Sequence, residues 1–467
     1  MPSSKYEAQS IHAVEPRSFY ERFSKVSIAV AKTFTNCKSD YSAMLATLRR
    51  GAVCSRLEHL NLAVFETIKT HKNPGEVVPR VLHSGCNFPF QELGAWLSHV
   101  LRVKLQNLPH LVKDTNAAVA MLKTVKLEDS DLLVTADVSD FFMSGTHVRL
   151  AKNAGSLFSG PRRDAVDRAS SFLLDSQYVL LQRDQRTITK VITGAGMGVN
   201  FSSELSDAAF YVQNEVPFVL APAHSAAVGV KLYMRFRDDL FFVLRRAPER
   251  ASIGREWLRV CPDSDFKLEK WAASRWRVTF LDLEITANHT SGRLDFRPFV
   301  KPTSLGIPLS DTSAHAPTVH LSWPLAYARR LSLCSSTSSA FGDAKSVFVR
   351  RLRRHLANER VVAAVSQWKP SLRPTTTRAD PARDSVFWVP LPYHPLWART
   401  KLDRFLHDFF SSPAIVGLWA LANSAHRPGP PPRFPTLRIA WSNGAKPLGM
   451  WLRALQADGN SARSSAR

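Results

Sequence analysis

Two adjacent aspartates, Asp238 and Asp239, interrupt the otherwise apolar run Tyr233-Met-Arg-Phe-Arg-Asp-Asp-Leu-Phe-Phe-Val-Leu244. Aromatic and aliphatic residues on both sides predict two short strands joined by a tight turn, with the acids at its tip. Such a turn holds two like charges side by side. They repel unless a cation sits beside them, and a divalent ion with oxygen ligands is the common remedy. A solvated turn is the commoner setting for an isolated Asp-Asp pair, since aspartate is a standard turn residue. The pair therefore fixes a hairpin more firmly than it fixes a chemistry.

A second segment bears on the choice. In Leu132-Leu-Val-Thr-Ala-Asp-Val-Ser-Asp-Phe-Phe-Met143 an apolar strand runs into Asp137, a second acid follows at Asp140, and two aromatics come next. The 101 residues from Asp137 to Asp238 leave room for helices and a further strand between two paired strands. Three carboxylates converging from adjacent strand ends would hold two metal ions about 3.5–4 Å apart, an arrangement suited to nucleotidyl transfer. The competing reading of Asp137 is a carboxylate capping the next helix.

Between these segments lies Ile192-Thr-Gly-Ala-Gly-Met-Gly-Val-Asn-Phe-Ser-Ser-Glu-Leu-Ser-Asp-Ala-Ala-Phe-Tyr211, with glycines at 194, 196 and 198. Ser202 and Ser203 are candidate N-caps for a helix that follows. Glycines allow close backbone approach to a flat ligand, and a helix start behind them favours phosphate. The spacing fits neither the Rossmann nor the P-loop pattern. Acid-bearing strand, glycine loop with helix, and Asp-Asp hairpin, in that order, are the central pieces of a polymerase palm.

The ordered set Asp137-Val-x-x-Phe-Phe, Gly194-x-x-Met-Gly, Arg235-Phe-x-Asp-Asp-Leu-Phe and Phe280-Leu-Asp-Leu-Glu-Ile285 resembles the reverse transcriptase of Penelope-like retroelements, a telomerase-related branch. Arg80-Val-Leu-His-Ser84, Lys301-Pro-Thr303, Ser313-Ala-His315 and the stretch from Arg330 to Cys334 extend the likeness over residues 75–340. It is looser around 391–395 and 438–442. Four departures stand out: Phe236 replaces the usual Tyr, Arg237 fills a commonly apolar position, Val81 replaces Pro, and His315 is followed by Ala316. The family's Asp-Lys fingers segment is not recognisable in residues 1–70. Nor is the GIY-YIG nuclease carried by many members, where this sequence ends at Ser461-Ala-Arg-Ser-Ser-Ala-Arg467.

The resemblance implies an α+β fold: a right-hand polymerase palm, with an antiparallel sheet bearing helices on one face, partial fingers and a helical thumb. It implies RNA-templated DNA synthesis with two Mg²⁺ or Mn²⁺ ions, an RNA template, a DNA primer and dNTPs. Asp137, Asp238 and Asp239 would be catalytic and would bind metal together with the backbone carbonyl of Val138. Arg80, Phe142, Gly194, Gly196, Met197 and Gly198 would contact the nucleotide, Phe142 as the bulky group beneath the sugar. Arg80 reads equally as a salt-bridge residue, and Phe142 also as a core aromatic. Lys267 or Lys270 is the candidate general acid, and Phe280, Leu281 and Asp282 the primer grip. An RNA-dependent RNA polymerase, and a catalytically decayed palm that binds nucleic acid, are the alternatives.

Composition agrees with a polyanionic partner. Lysine and arginine total 62 against 39 acids, a net charge of +23 with pI near 10.2, which favours salt-sensitive binding through counterion release; an arginine-rich genome bias produces the same excess. Hydrophobic residues at 45% exclude a largely disordered chain. Five cysteines without a CxxC pair indicate neither a disulfide scaffold nor a zinc site. No signal-like segment or spanning run is present, so a nuclear or cytoplasmic, non-secreted, non-membrane protein is expected. Arg350-Arg-Leu-Arg-Arg354 reads as a nuclear import patch or as a solvated helix face.

The domain reading is 1–74, an amino-terminal helical extension or residual fingers; 75–300, fingers and palm; 301–368, a helical thumb; 369–384, a linker; and 385–467, a basic Trp-rich region. Helical patterns are read at 41–48, 57–68, 91–105, 115–126 and after Gly160-Pro161, and a hairpin at 178–193. Trp388, Trp397, Trp419, Trp441 and Trp451 read as buried core or as base-stacking residues.

Overall fold

The computed structural model describes residues 5–10, 16–31, 33, 61–68, 79–84, 88, 90–180, 187–222, 225, 228–245, 250–300, 308–310, 313, 317–356, 358–370, 386–392, 408, 412–413 and 436–442. The 41–48 pattern, residues 301–303 and 314–316, the linker beyond residue 370, and Trp397, Trp419 and Trp451 lie outside the described residues.

The Asp-Asp run forms the expected hairpin. β7 (Val230–Phe236) and β8 (Asp239–Leu244) pair antiparallel around Arg237 and Asp238. β8 pairs on its other side with β4 (Leu132–Ser139), and β4 with β9 (Lys267–Ser274), giving a four-stranded antiparallel sheet of order β7-β8-β4-β9. Period-two alternation sorts its side chains into two cores. Leu132, Val134, Ala136, Val138, Leu240, Phe242 and Leu244 face a large helical core. Leu133, Phe241, Val243 and Met234 face a second core on the opposite side. The fold is α+β.

Helices that follow apolar periodicity cover the first face. Gln91–Leu105, His147–Ser156, Gly160–Asp175 and Ser202–Phe210 (α2, α4, α5 and α6, with α1 at Pro16–Ala31) supply Leu93, Leu97, Leu150, Phe172 and Leu205 to that core. The segment at 115–126 is helical only over α3 (Thr115–Leu122), which starts on an Asp114 cap that accepts from Ala117 N. Its Ala118, Val119 and Leu122 join the second core, together with a three-stranded sheet of β10 (Arg277–Phe280), β11 (Leu283–Asn288) and β12 (Arg293–Pro298).

The helix read over Leu57–Ile68 is instead a strand, β2 (Asn61–Ile68). It pairs antiparallel with β3 (Pro79–Ser84) and parallel with β5 (Tyr178–Leu180). Leu57, Leu60, Val64 and Ile68 have helical spacing while Leu62, Val64 and Ile68 fit the period of two, and two partner strands decide the outcome. With β1 (Tyr6–Ser10) paired to β6 (Thr187–Val191), a five-stranded sheet of order β1-β6-β5-β2-β3 results. The 178–193 hairpin is present as β5 and β6, its tip lying outside the described residues.

The chain divides into two compact units, 1–305 with 333–340, and 306–332 with 341–467. The second unit contains most of the helices Pro317–Leu333 and Ser338–His355, all of Glu359–Gln367, and a core of Ala328, Leu331, Phe348, Leu352, Val362 and Val365. It also holds a parallel pair, β13 (Val386–Pro392) with β14 (Thr436–Ser442), on which Trp388 and Trp441 lie. No helix among the described residues is long and apolar enough to cross a membrane.

Candidate active site

β4 and β8 bring the aspartates together. Asp137 and Asp239 are direct cross-strand partners. Val138 N donates to Asp238 O at 2.9 Å, so the neighbouring Asp137–Asp239 pair is of the non-hydrogen-bonded kind, with Cα atoms about 4.5 Å apart and side chains on one face. That face is the one carrying Leu133, Phe241 and Val243, and all three aspartates are half-buried. A strand residue turns its N–H and C=O towards the same neighbour, so the Val138 carbonyl is directed to the Asp238 side.

Lys270 reaches Asp137 from β9. Two β9 residues oppose Ala136 alone, a bulge marked by the register shift between Thr135 and Asp137. Lys270 takes the left-handed conformation there, at φ 52°, and its Nζ donates to Asp137 Oδ2 and lies 2.8 Å from Glu269 Oε1. Hydrogen bonds to Asp137 and then Glu269 raise the ammonium pKa. Lys267 is exposed at the start of β9, opposite Ser139.

The donors suit a hard cation: carboxylates and one carbonyl, with no sulfur or imidazole. The Lys270 ammonium already places a positive charge on Asp137. Among the described residues, no group of three or more His, Cys, Asp or Glu side chains is gathered tightly enough to hold a metal ion. The donor types are those that suit a hard cation such as Mg²⁺ or Mn²⁺, while in this arrangement Lys270 holds Asp137 Oδ2.

A buried ion network sets the turn. Arg235 is fully buried on β7. Its Nε and Nη2 donate to Glu215 at 2.8 and 3.1 Å, and its Nη1 donates to Asp207 Oδ1 at 2.6 Å and to Arg237 O at 3.0 Å. Tyr233 Oη donates to Glu215 at 2.7 Å, and the Phe210 ring lies 4.7 Å from the guanidinium. Burial pushes the Glu215 carboxyl up, but Arg235 and His110 outweigh it and hold the pKa at about 2. Arg237, left-handed at φ 55°, donates to Asp207. The unusual charge before Asp238 therefore has a partner in the helix behind the turn. Asp207 lies on α6, and Glu215 on the π-helix Tyr211–Val219 that continues it.

The glycine loop is shaped by protein rather than by space for a ligand. At Gly194, φ 73°, a Cβ would stand 2.3 Å from Met143 Cα; at Gly198, φ 112°, it would stand 2.7 Å from His83 O. Ala195 N donates to Phe142 O, and His83 N to Met197 O, both at 2.7 Å. The loop is thereby clamped between β3 and the single 3₁₀ turn Phe141–Met143, and Gly196 packs beside Gln177 and His83. Phe142 is half-buried, edge-on to Phe141 at 5.3 Å. Arg80 lies in β3 opposite Thr67, its side chain outside the described residues. Ser202 and Ser203 are not caps: the cap position is Phe201, and Ser202 Oγ donates to Val199 O.

The 280–282 segment is the β10–β11 turn. Phe280 is buried against Phe241 at 5.5 Å, Leu281 is left-handed, and Asp282 accepts from Thr115 Oγ1 at 2.6 Å. Sequence pattern alone assigns no role to Arg235, Asp207 or Glu215. An arginine at an inward position of an apolar strand, with acids at 207 and 215 on one helical stripe, is the signal that could have found them.

No protein-family model matches the sequence, and no curated protein matches it. Among solved structures, apo telomerase from Candida tropicalis is similar at 11% identity, over 49% of this chain and 47% of that one, with a TM-score of 0.37. Telomerase from Candida albicans in complex with a TWJ fragment of telomeric RNA is similar at 10% identity, over 70% and 61%, with a TM-score of 0.43. The RNA-dependent RNA polymerase of a human picobirnavirus is similar at 15% identity, over 62% and 55%, with a TM-score of 0.43. The chain spans about half to three-fifths of these three chains.

Proposed function

We propose that this chain is a template-directed nucleic-acid polymerase, and that it makes DNA on an RNA template. One observation carries the reading: Asp137 and Asp239 face each other across the two central strands, with Asp238 at the adjoining turn and Val138 O directed to the same side. Two bound divalent ions would supply activation of a primer hydroxyl and stabilisation of departing pyrophosphate. The chain's own part is to position. Asp137, Asp238, Asp239 and the Val138 carbonyl would hold the ions, and the Arg235 network keeps the turn in place. Lys270, once displaced from Asp137, stands ready to give its proton to the leaving group. Phe142 beneath the sugar would select deoxyribonucleotides by steric exclusion.

Primer extension on homopolymer RNA and DNA templates, with Mg²⁺ or Mn²⁺ and either dNTPs or rNTPs, tests the reading. Extension with dNTPs on RNA supports it. Extension with rNTPs alone replaces it by an RNA-dependent RNA polymerase. A second reading, a palm that binds nucleic acid without catalysis, is favoured by the Lys270 contact that occupies Asp137; duplex binding with no extension under any combination would establish it.

A further inference from the structure

The connection between β9 and β10 is two residues long, Arg275-Trp276, and turns the chain from the four-stranded sheet into the three-stranded one. It is firmly held. Ser274 Oγ accepts from both Trp276 N and Arg277 N at 3.0 Å, and Ala287 N donates to Trp276 O at 2.8 Å. His289 braces the indole edge-on at 5.4 Å and lies 3.1 Å from Arg275 O through Nε2. Yet Trp276 is 68% exposed. One exposed aromatic is ordinary by itself; this one is distinguished by its fixed position at a corner that borders a groove lined by arginines.

Beside it lies a groove of about 460 Å³ on the outer face of the β10–β12 sheet. Trp276, Arg277, Glu284, Thr286, Asp295 and Arg297 line it, among others. Its acids are already engaged. Glu284 is bridged by Arg297 at 2.6 Å and by Arg277 at 3.9 Å, and Asp295 accepts from Asn288 at 2.8 Å and Ser336 at 3.1 Å. Arg293, exposed, shares the face of Asp295 and Arg297 by strand register, and exposed Arg275 precedes Trp276 in the connection. Arg277 and Arg297 share Glu284, but the four arginines outnumber the two acids of the groove, and with a rigid exposed indole they complement a strand that offers phosphates and unpaired bases.

We propose that this face binds single-stranded nucleic acid, one base stacking on Trp276 while the flanking arginines contact phosphates. Inside a duplex each base face is covered by its stacked neighbours, so the unpaired strand is the fitting occupant. The site is separate from the carboxylates. Glu269 opposes Asp137 and Ser274 opposes Leu133, four β4 positions away, roughly 14 Å at ~3.4 Å per residue. The proposal rests on the polymerase reading for its biological occupant, a template or displaced strand running past the active centre.

Anisotropy of labelled single-stranded RNA, single-stranded DNA and blunt duplex, measured with the full chain, tests it. Trp276→Ala should weaken single-strand binding by about 5- to 150-fold, the equivalent of about 1–3 kcal/mol of stacking per base. Trp276→Phe should retain most of the affinity, and duplex binding should be unchanged. The strand type that suffers the larger loss identifies the occupant as RNA or DNA. Unchanged single-strand affinity in Trp276→Ala, or an equal loss on duplex, overturns the proposal. Extension of a primer whose template overhang is too short to reach the corner should be unaltered by Trp276→Ala. Absent extension in the wild type, with single-strand binding still lost in Trp276→Ala, would sink the polymerase reading and leave the platform standing.

Discussion

At the scale of single residues, the facing of Asp137 and Asp239 and the setting of Phe142 lead to separate expectations. Asp238→Asn should reduce primer extension to background while leaving duplex affinity within about twofold, because affinity rests on lysine and arginine contacts to phosphate. Filter binding beside extension checks this, and parallel loss of both would indicate misfolding instead. Phe142→Ala should raise ribonucleotide use relative to deoxyribonucleotide by roughly 10- to 100-fold, since relieving a steric penalty of ~1–3 kcal/mol has that effect. Competition between rNTP and dNTP on one primer reads it out. An unchanged ratio would make Phe142 a packing residue of the 3₁₀ turn, as its contact with Phe141 allows.

At the scale of elements, the helix and π-helix from Ser202 to Val219 are locked to the hairpin through Arg235. Arg235→Met should leave Asp207 with Arg237 alone and Glu215 with only Tyr233 and His110, at a cost of about 3–5 kcal/mol, measurable by urea denaturation. The acid side of the stability profile follows from Glu215. Its carboxyl titrates at about 2 in the folded chain, below the ~4.3 of an unperturbed glutamate. The stabilisation it confers is therefore complete above about pH 4.3 and is lost as pH falls through about 2. Stability measured from about pH 5 to about pH 2 should decline, and Glu215→Gln should remove that part of the decline while lowering stability at neutral pH. The hairpin and the strand bearing Asp137 were legible because short apolar runs end at their acids, and the helix at 91–105 because it follows one clean helical period. Local pattern misled at β2, where one stripe of residues, 57, 60, 64 and 68, has helical spacing, another, 62, 64 and 68, has strand spacing, and distant strands choose. It was silent on Arg235, whose partners lie 20 and 28 residues away. The glycines were legible as close-approach positions, but not what approaches them: Met143 and His83 lie on a 3₁₀ turn and on β3, far from each other in sequence.

At the scale of the whole molecule, an excess of 23 positive charges predicts steeply salt-dependent binding to nucleic acid. If about six or more phosphates are engaged, affinity should fall about 10³-fold or more between roughly 50 and 200 mM salt, with a log–log slope near −0.9 per phosphate on duplex. A slope shallower than about −2 would detach the charge excess from binding. The five-stranded sheet carries a consequence for how the chain is made. β1 pairs with β6, and β2 with β5, so residues 6–10 find their partner only after residue 191 has been synthesised. Until then two strands wait with open edges on the ribosome-bound chain, and such long-range closure is slow and exposed to misassembly. Productive expression should accordingly respond more to chaperone supply and slowed growth than the stability of the finished fold would suggest.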